Sequence, residues 1–230
     1  MYENKRILAI IPARGGSKRI PGKNVKILGD KPLIAWTVEA AKKSAYIDRL
    51  ILSSDDNAIA KVALEHGCDV PFMRPDSLAT DTATSTDVVL HALNFLGDDL
   101  FDYVILLQPT SPFRSFEDVD GAIKACLSGG HSSLVSTRPV RENPSWMYYQ
   151  EGEALTSLSE RLGDVASLRW QVLNGAIYVF DVRWFLSNRA FMDDKTRLYP
   201  MSWDRSVDID TIEDWAWAEF LLDKGILTWR

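Results

Sequence analysis

Cysteine and histidine are scarce in this chain of 230 residues, which contains only two of the former and three of the latter. Cys68 and Cys126 stand far apart, and His66, His91 and His131 are scattered along the sequence. None of these spacings is that of a zinc site or of a disulfide framework. We therefore expect two buried, reduced thiols and no structural metal held by cysteine or histidine.

Long hydrophobic runs are also missing near the amino terminus. The first apolar stretch covers seven residues, 7–13, and ends at Arg14. Such a stretch is too short to span a bilayer, and it lacks the cleavage pattern of a signal peptide. The sequence therefore predicts a soluble protein of the cytoplasm that does not act at a membrane.

Positive charge is in deficit over the whole chain. Lysine and arginine number 26 against 32 acidic residues, which gives a formal net charge of -6. Broad nucleic-acid binding needs an extended positive surface, so a nucleic-acid partner is not expected. The hydrophobic and charged fractions, 46% and 25%, are those of one ordinary globular domain with a substantial core.

Four cations nevertheless crowd into ten residues of the segment IPARGGSKRIPGKN. They are Arg14, Lys18, Arg19 and Lys23. The apolar run just before them, residues 7–11, is typical of a strand buried on both faces. A loop that concentrates positive charge after the first buried strand of an acidic protein predicts the binding of a small polyanion. The alternative is a solvated basic loop with no specific ligand.

Glycine supports the polyanion interpretation. Gly15, Gly16 and Gly22 would let the backbone approach a ligand and turn its N–H groups toward phosphate oxygens. The loop is not a Walker A motif, because five residues separate Gly16 from Gly22 and Asn24 stands where a serine or threonine is needed. It does not match the dinucleotide-binding fingerprint either. The predicted ligand is therefore a phosphate compound held in another way.

Apolar runs alternate with helical periodicity through most of the chain, which predicts repeated β–α units and a mostly parallel sheet. Regularity fails between residues 139 and 170, which we interpret as an extra lobe beside a core of residues 1–138 and 171–230. The predicted strands after the first are residues 49–53, 70–73, 103–107, 134–137 and 175–180. Predicted helices include residues 117–127 and a last helix that follows Thr211, with Asp214 completing a capping box.

Two aspartates precede that last helix in the segment SVDID. In an extended chain, Asp208 and Asp210 point to the same side, with Cα atoms about 6.5 Å apart. Mg²⁺ is often held by one or two carboxylates, with substrate phosphates and water completing its shell. The pair therefore predicts a magnesium site that faces the basic loop. The alternative is that both carboxylates only favour the positive end of the helix.

Four segments in register carry a family resemblance: IPARGGSKRIPGKN, LLQPTSPFR, NGAIYVF and SVDIDT. Together they resemble the acylneuraminate cytidylyltransferases, which activate nine-carbon 2-keto sugar acids as CMP conjugates. The resemblance covers most of the chain. It implies an α/β, Rossmann-like nucleotidyltransferase fold of the nucleotide-diphospho-sugar transferase type. It also implies a homodimer in which the extra lobe reaches the partner's site.

The resemblance also implies roles for individual residues. Asp208 and Asp210 would hold Mg²⁺, and Lys18, Lys23 and Asp210 would be catalytic. Gln108 and Asn174 would contact the sugar. The nucleotide would be bound by Arg14, Ser17, Lys18, Lys23, Asn24, Ser85 and Gln108.

Arginine is the natural partner of the sugar carboxylate because its guanidinium can bind both oxygens. Arg161 and Arg169 are the candidates, although the segment SERLGDVASLRWQVLNG departs from the family pattern at this point. The implied activity is transfer of CMP from CTP to the anomeric hydroxyl of a sialic, legionaminic or pseudaminic type of acid, with release of pyrophosphate. The alternatives are another sugar nucleotidyltransferase, such as one acting on Kdo, and a non-catalytic nucleotide-sugar sensor.

Overall fold

A computed structural model describes residues 1–97 and 100–227 of the chain. Its strands are β1 (Ile7–Pro12), β2 (Ile27–Leu28), β3 (Lys31–Pro32), β4 (Arg49–Ser53), β5 (Tyr103–Leu107), β6 (Ser133–Pro139), β7 (Tyr148–Glu151), β8 (Ala154–Ser157), β9 (Gln171–Asp181) and β10 (Arg197–Pro200). Its α-helices are α1 (Leu33–Lys43), α2 (Asn57–Glu65), α3 (Ser85–Leu96), α4 (Phe116–Leu127), α5 (Leu158–Leu162), α6 (Val182–Asn188) and α7 (Ile212–Asp223). Single 3₁₀ turns lie at Lys23–Val25, Asp76–Leu78, Pro144–Trp146 and Val165–Ser167.

Six strands form the main sheet, in the order β10-β6-β9-β5-β1-β4. β4 and β5 both run parallel to β1, and β10 runs parallel to β6. Only β9, among the strands of this sheet, runs in the opposite direction, and it lies between β5 and β6. The prediction of a mostly parallel α/β sheet is therefore confirmed.

The alternation of side chains along β1 explains why the sheet is covered on both faces. Ile7, Ala9 and Ile11 pack into a core with α1, α2 and α4, whereas Leu8 and Ile10 pack into a second core with α3 and α6. All five side chains are fully buried. An apolar run without alternation of polar residues is the pattern that a strand covered on both faces requires.

A third core lies beside the basic loop, where α7 packs on α1. Trp215 of α7 meets Trp36 and Leu33 of α1, together with Phe113 and Ile20 from the two connecting loops. The capping box that was predicted for α7 is present, since Thr211 and Asp214 bond reciprocally. This core therefore fixes the segment that carries Asp208 and Asp210 next to the basic loop.

The strand predicted at residues 70–73 is wrong. Asp69 makes an isolated parallel bridge with Ile51 at the edge of the sheet, and its N–H and C=O bond to Leu50 and Leu52. Pro71 has no N–H to continue such a ladder, so the pairing stops there. The other predicted strands are present, although β9 begins at Gln171, four residues before the predicted start.

Residues 139–170, which we call the lobe, contain the separate β7–β8 hairpin and the short helix α5. Large apolar side chains of the lobe are exposed: Trp146, Tyr148, Leu155, Leu162 and Leu168. The proposed division into core and lobe stays a prediction, and residues 228–230 of its last segment lie outside the described residues.

Both cysteines are buried and unpaired, as expected. Burial raises the pKa of each thiol to about 12. Among the described residues, no helix has both the length and the apolarity to cross a bilayer.

Candidate active site

A cleft of about 600 Å³ opens where β1 and β5 end in loops. In an open α/β sheet this is the edge at which ligands bind. Predicted nucleotide-binding residues lie together on its walls, from the basic loop, from the start of α3 and from the turn after β5. They are Arg14, Ser17, Lys18, Lys23, Asn24, Ser85 and Gln108, with Asp210 opposite.

Hydrogen bonds inside the basic loop hold it in a closed curve. The buried amide of Asn24 donates from Nδ2 to the carbonyl of Arg14, 3.0 Å away, and so ties the end of the loop to its beginning. Gly22 has φ +64°, a backbone conformation that favours glycine, and it starts the 3₁₀ turn that contains Lys23. These contacts bring Lys23 back toward Arg14.

Gly15 serves the fold rather than a ligand. Its N–H donates to Asp55 at 3.1 Å, and a Cβ at this position would lie 2.6 Å from the Asp56 carboxylate. Asp56 is the N-cap of α2, so glycine lets the loop pack tightly on that helix. The expectation that the Gly15 N–H faces phosphate is therefore wrong.

Two carboxylates neutralise the four cations of the loop. Asp81 contacts Arg14 Nη1 at 2.8 Å and Lys18 Nζ at 2.5 Å, one cation on each oxygen. Lys18 and Arg14 donate hydrogen bonds that hold the pKa of Asp81 below its ordinary value. The positive charge of this loop is thus already paired when the cleft holds no ligand.

Asp210 takes the other two cations. Its carboxylate lies 3.1 Å from Lys23 Nζ and 3.7 Å from Arg19 Nη1. Lys23 Nζ also donates to the carbonyl of Ile209 at 2.8 Å, and its side chain is nearly buried, in contrast to the exposed Lys18. Lys23 is therefore the most firmly held cation of the loop.

Asp208 lies close to Asp210 but faces a different set of groups. It accepts a hydrogen bond from the Thr110 hydroxyl, and its Oδ2 lies against Gly175. Burial raises the pKa of Asp208, the Thr110 hydroxyl opposes this, and the negative charge of Asp210 adds to it. The two carboxylates thus interact across the edge of the cleft.

The turn after β5 is fastened from below by a buried arginine. Arg114 is fully buried and donates to the carbonyl of Gln108, to the carbonyl of Ala176 at 3.1 Å and to the hydroxyl of Thr37 at 3.0 Å. Desolvation lowers its pKa to about 9, so the side chain is still charged at neutral pH. Arg114 thereby joins β5, β9 and α1 directly beneath Gln108.

A second cleft, of about 290 Å³, adjoins the first and is more apolar. The two clefts share Ser85 and Gln108, so they form neighbouring compartments at the same edge of the sheet. The remaining lining residues of the smaller cleft are Leu106, Tyr178, Ala190, Phe191 and Met192.

Comparison with known proteins decides what kind of site this is. The sequence profile of the family described as cytidylyltransferase matches residues 8–157. The chain belongs to the cytidylyltransferase family.

Curated relatives of this cytidylyltransferase match almost its whole length. It is 40% identical to the CMP-N,N'-diacetyllegionaminic acid synthase of Legionella pneumophila, over 95% of this chain and 97% of that protein. The pseudaminic acid cytidylyltransferase of Campylobacter jejuni is 31% identical, over 93% and 95%. The N-acylneuraminate cytidylyltransferase of Escherichia coli is 33% identical, over 95% of this chain but only 52% of that longer protein. The resemblance stated from the four motifs is confirmed.

Solved structures give the same fold. The CMP:2-keto-3-deoxy-manno-octonic acid synthetase, solved in complex with CTP, superposes with a TM-score of 0.73 and covers 96% of this chain. Its sequence identity is 17%, so this likeness concerns the fold alone. The predicted nucleotidyltransferase fold is confirmed.

Asn174 of the cytidylyltransferase does not point into either cleft. It is buried, its Nδ2 donates to Ser206 at 2.9 Å, and its Oδ1 accepts from Ser136 at 2.6 Å and from the N–H of Ala176 at 3.2 Å. Its amide is therefore fully engaged in joining β9 to β6 and to the segment before Asp208. The assignment of Asn174 to sugar contact is corrected to a structural role.

Arg161 and Arg169 lie in the exposed lobe, and neither lines the two clefts described here. Arg161 packs over the ring of Tyr149 at 5.3 Å. Their assignment to the sugar carboxylate stays a prediction, and it requires the lobe to meet the site of a second copy.

Three side chains of the site were not predicted from the sequence. Arg74 and Asp81 line the large cleft, and Phe191 lines the small one. One local signal was available for Phe191, since the apolar pair Phe191-Met192 interrupts a polar stretch after α6. Asp81 lies in a run of small polar residues that looks like any loop.

Proposed function

We propose that this cytidylyltransferase transfers CMP from CTP to the anomeric hydroxyl of a nine-carbon 2-keto sugar acid and releases pyrophosphate. The observation that carries the proposal is the cleft that gathers Arg14, Lys18, Lys23 and Asp210 in a chain so similar to a CMP-N,N'-diacetyllegionaminic acid synthase. That relative favours a legionaminic type of acid among the sialic, legionaminic and pseudaminic types.

The phosphates of CTP would lie along the basic loop. Arg14, Lys18 and Lys23 reach the cleft from three points of the curve, so they surround a chain of phosphates instead of one group. The start of α3 adds N–H groups at its positive end, where Ser85 lines the cleft. Charge neutralisation and positioning are the main tasks of a protein that transfers a phosphoryl group.

Cytosine would lie near Arg74. This side chain is buried, and its guanidinium donates to the carbonyls of Ser53 at 2.5 Å and Leu78 at 3.4 Å. Its Nε has no hydrogen-bond partner among the described residues. A buried donor without a partner is costly, and an acceptor on a pyrimidine ring would satisfy it.

Asp208 and Asp210 fit a magnesium ion that the nucleotide brings with it. Among the described residues, no group of three acidic, histidine or cysteine side chains could enclose a metal. Two carboxylates beside a phosphate cleft suit Mg²⁺, which completes its shell with phosphate and water. When bound, the metal would neutralise charge on the triphosphate. Asp210 would then exchange Lys23 and Arg19 for the ion, and both cations would be released toward the phosphates.

The sugar acid would occupy the smaller cleft. Gln108 lies at its junction with the large cleft and offers a polar side chain to the sugar hydroxyls. Phe191, Met192 and Tyr178 form an apolar wall that suits the acyl or methyl substituents of such acids. The anomeric hydroxyl would attack the α-phosphorus in line, with pyrophosphate leaving toward Lys18 and Lys23, and no covalent enzyme intermediate is required.

We also propose that the enzyme is a homodimer and works in the cytoplasm, where CTP is available. The exposed apolar side chains of the lobe support the first point, because contiguous apolar surface marks interfaces. The lobe of one copy would bring Arg161 or Arg169 to the sugar carboxylate in the other copy.

Pyrophosphate release is the direct test of this function. The purified protein is assayed with CTP, ATP, GTP and UTP against a panel of sialic, legionaminic and pseudaminic acids and Kdo, with and without Mg²⁺. We expect release only with CTP, Mg²⁺ and a nine-carbon acid, and a CMP-sugar of matching mass. Asp210→Asn should reduce turnover by about a hundredfold or more because it removes charge from the metal site.

Two results would reject the proposal. Turnover with Kdo and not with any nine-carbon acid would replace the substrate class. Binding of CTP without pyrophosphate release from any acid would favour a non-catalytic sensor. Near-normal activity of Asp210→Asn would remove that residue from the metal site.

A further inference from the structure

Asp81 holds an unusual position for a residue with no assigned task. It lies between the 3₁₀ turn Asp76–Leu78 and α3, on the wall of the large cleft, and its side chain is about half exposed. Its two oxygens contact Arg14 and Lys18 separately, at 2.8 and 2.5 Å. The cations that would bind phosphate are therefore held by a carboxylate of the same chain.

The segment around Asp81 is built to hold this carboxylate in place. Thr80 accepts from the N–H of Ala83 at 3.2 Å, and its hydroxyl lies 3.1 Å from that of Thr82, which closes a short turn around Asp81. Thr84 then caps α3 and fixes the end of the segment. Asp81 is thus presented to the basic loop by local backbone structure.

A carboxylate in this position resembles a phosphate group in its chemistry. It offers two negatively charged oxygens to an arginine and a lysine, which is also how a terminal phosphate would be bound. Phosphate and Asp81 carry the same sign of charge and compete for the same donors. Binding of a polyphosphate must therefore weaken or break the contacts of Asp81.

We propose that Asp81 is an internal competitor of pyrophosphate: between turnovers it occupies Arg14 and Lys18, and it promotes release of the product by reclaiming them. The inference rests on the proposed function for the identity of the product, but the competition itself concerns binding alone. Asp210, the other carboxylate that pairs with the loop, would be drawn to the metal, whereas Asp81 has no metal to leave for.

The competition is moderate in strength. Ion pairs between exposed side chains contribute little individually, so Asp81 adjusts the affinity of the cleft instead of closing it. Removing both contacts should tighten the binding of pyrophosphate by roughly fivefold. The effect should shrink as salt is added, because the charges involved are exposed.

Calorimetric titration of the whole protein with inorganic pyrophosphate and Mg²⁺ tests this inference. Asp81→Asn should bind pyrophosphate about fivefold more tightly than the parent protein. Asp81→Glu, which keeps the charge, should remain close to the parent. Asp76→Asn is the matched control, because it removes one negative charge from the same stretch outside the cleft lining. Cytidine, which has no phosphate, should bind the parent and Asp81→Asn equally.

Weaker or unchanged binding of pyrophosphate to Asp81→Asn would overturn the proposal. Weaker binding would mean that Asp81 orients the two cations for the ligand. A tightening of equal size in Asp76→Asn would reduce the effect to net charge and would also overturn it. Asp81→Ser, checked by circular dichroism, gives the same test if the asparagine variant does not fold. Since no sugar is present, failure of the sugar panel and failure of this inference are separate results.

Discussion

Two buried arginines illustrate how the site is built at the scale of single residues. Arg114 satisfies acceptors on three segments at once, which a lysine could not do because its donors share one nitrogen. Arg74 keeps one donor, Nε, without a partner among the described residues. The first arginine is complete and holds the scaffold, and the second has a vacant donor beside the cleft.

Replacing Arg74 by lysine should separate base recognition from phosphate binding. Lysine retains the charge and can still reach the carbonyl of Ser53, but it loses the Nε donor that faces the proposed cytosine. We expect the affinity for CTP and cytidine to fall about tenfold, the typical cost of a lost hydrogen bond to a charged donor, while that for pyrophosphate stays unchanged. Calorimetric titration with each of the three ligands measures this.

A parallel loss of pyrophosphate affinity in Arg74→Lys would contradict the assignment. It would place Arg74 on the phosphate side of the cleft, together with Arg14.

Sequence reasoning predicted the residues that share a motif and missed those that only folding brings together. Arg14, Lys18 and Lys23 were found because charge and glycine crowd into one loop. Asp81 was not, because its partners are more than sixty residues away in the chain. Asn174 was wrongly assigned to the sugar, since a motif does not tell whether its side chains are buried or exposed.

At the scale of elements, the capping box of α3 positions Ser85 at the cleft. The Thr84 hydroxyl and N–H donate to Asp87, and these bonds hold the pKa of Asp87 below its ordinary value. A lowered folded pKa stabilises the protein above the unfolded pKa, which is about 3.9 for aspartate, and this contribution is lost as pH falls through the folded value.

Asp87→Ala should therefore lower the melting temperature by about 2–4 °C at pH 7. The difference from the parent protein should shrink as the pH is lowered below about 4, because the carboxylate of the parent then becomes protonated. Calorimetric unfolding scans at pH 7 and at pH 3 check both statements. An equal loss at the two pH values would mean that charge in the capping box contributes nothing.

Strands and helices with long apolar patterns were predictable, and the irregular edge was not. β5 and α4 have five and twelve residues whose pattern permits one interpretation. The false strand at residues 70–73 has an apolar composition as well, but Pro71 cannot extend the pairing that Asp69 begins.

At the scale of the whole molecule, the lobe should decide the state of association. Light scattering coupled to gel filtration should give the mass of a dimer for the parent protein. Leu155→Asp in β8 should give a monomer because it places a charge in the apolar surface of the lobe, where Leu155 is 70% exposed. Leu64→Asp is the control, since Leu64 is a similarly exposed leucine outside the lobe, at 57%.

A parent protein that is monomeric at micromolar concentration and fully active would reject the dimer. It would also remove Arg161 and Arg169 from the sugar site, because neither lines a cleft of its own chain.

The overall α/β fold followed from the alternation of apolar runs and helical patterns, but the order of the strands did not. Sequence patterns indicate which residues pair with a sheet and give no neighbour for each strand. The reversed direction of β9 therefore became known only from the structure.

The place of β9 has a consequence for how the protein is made. A ribosome completes β6 at Pro139, yet the strand that joins β6 to β5 is complete only at Asp181. At translation speeds of about 5–20 residues per second, two open strand margins persist for some seconds in the emerging chain. During that interval the nascent polypeptide exposes unpaired backbone to its neighbours, and chaperone capture at this stage would favour a good yield of native enzyme.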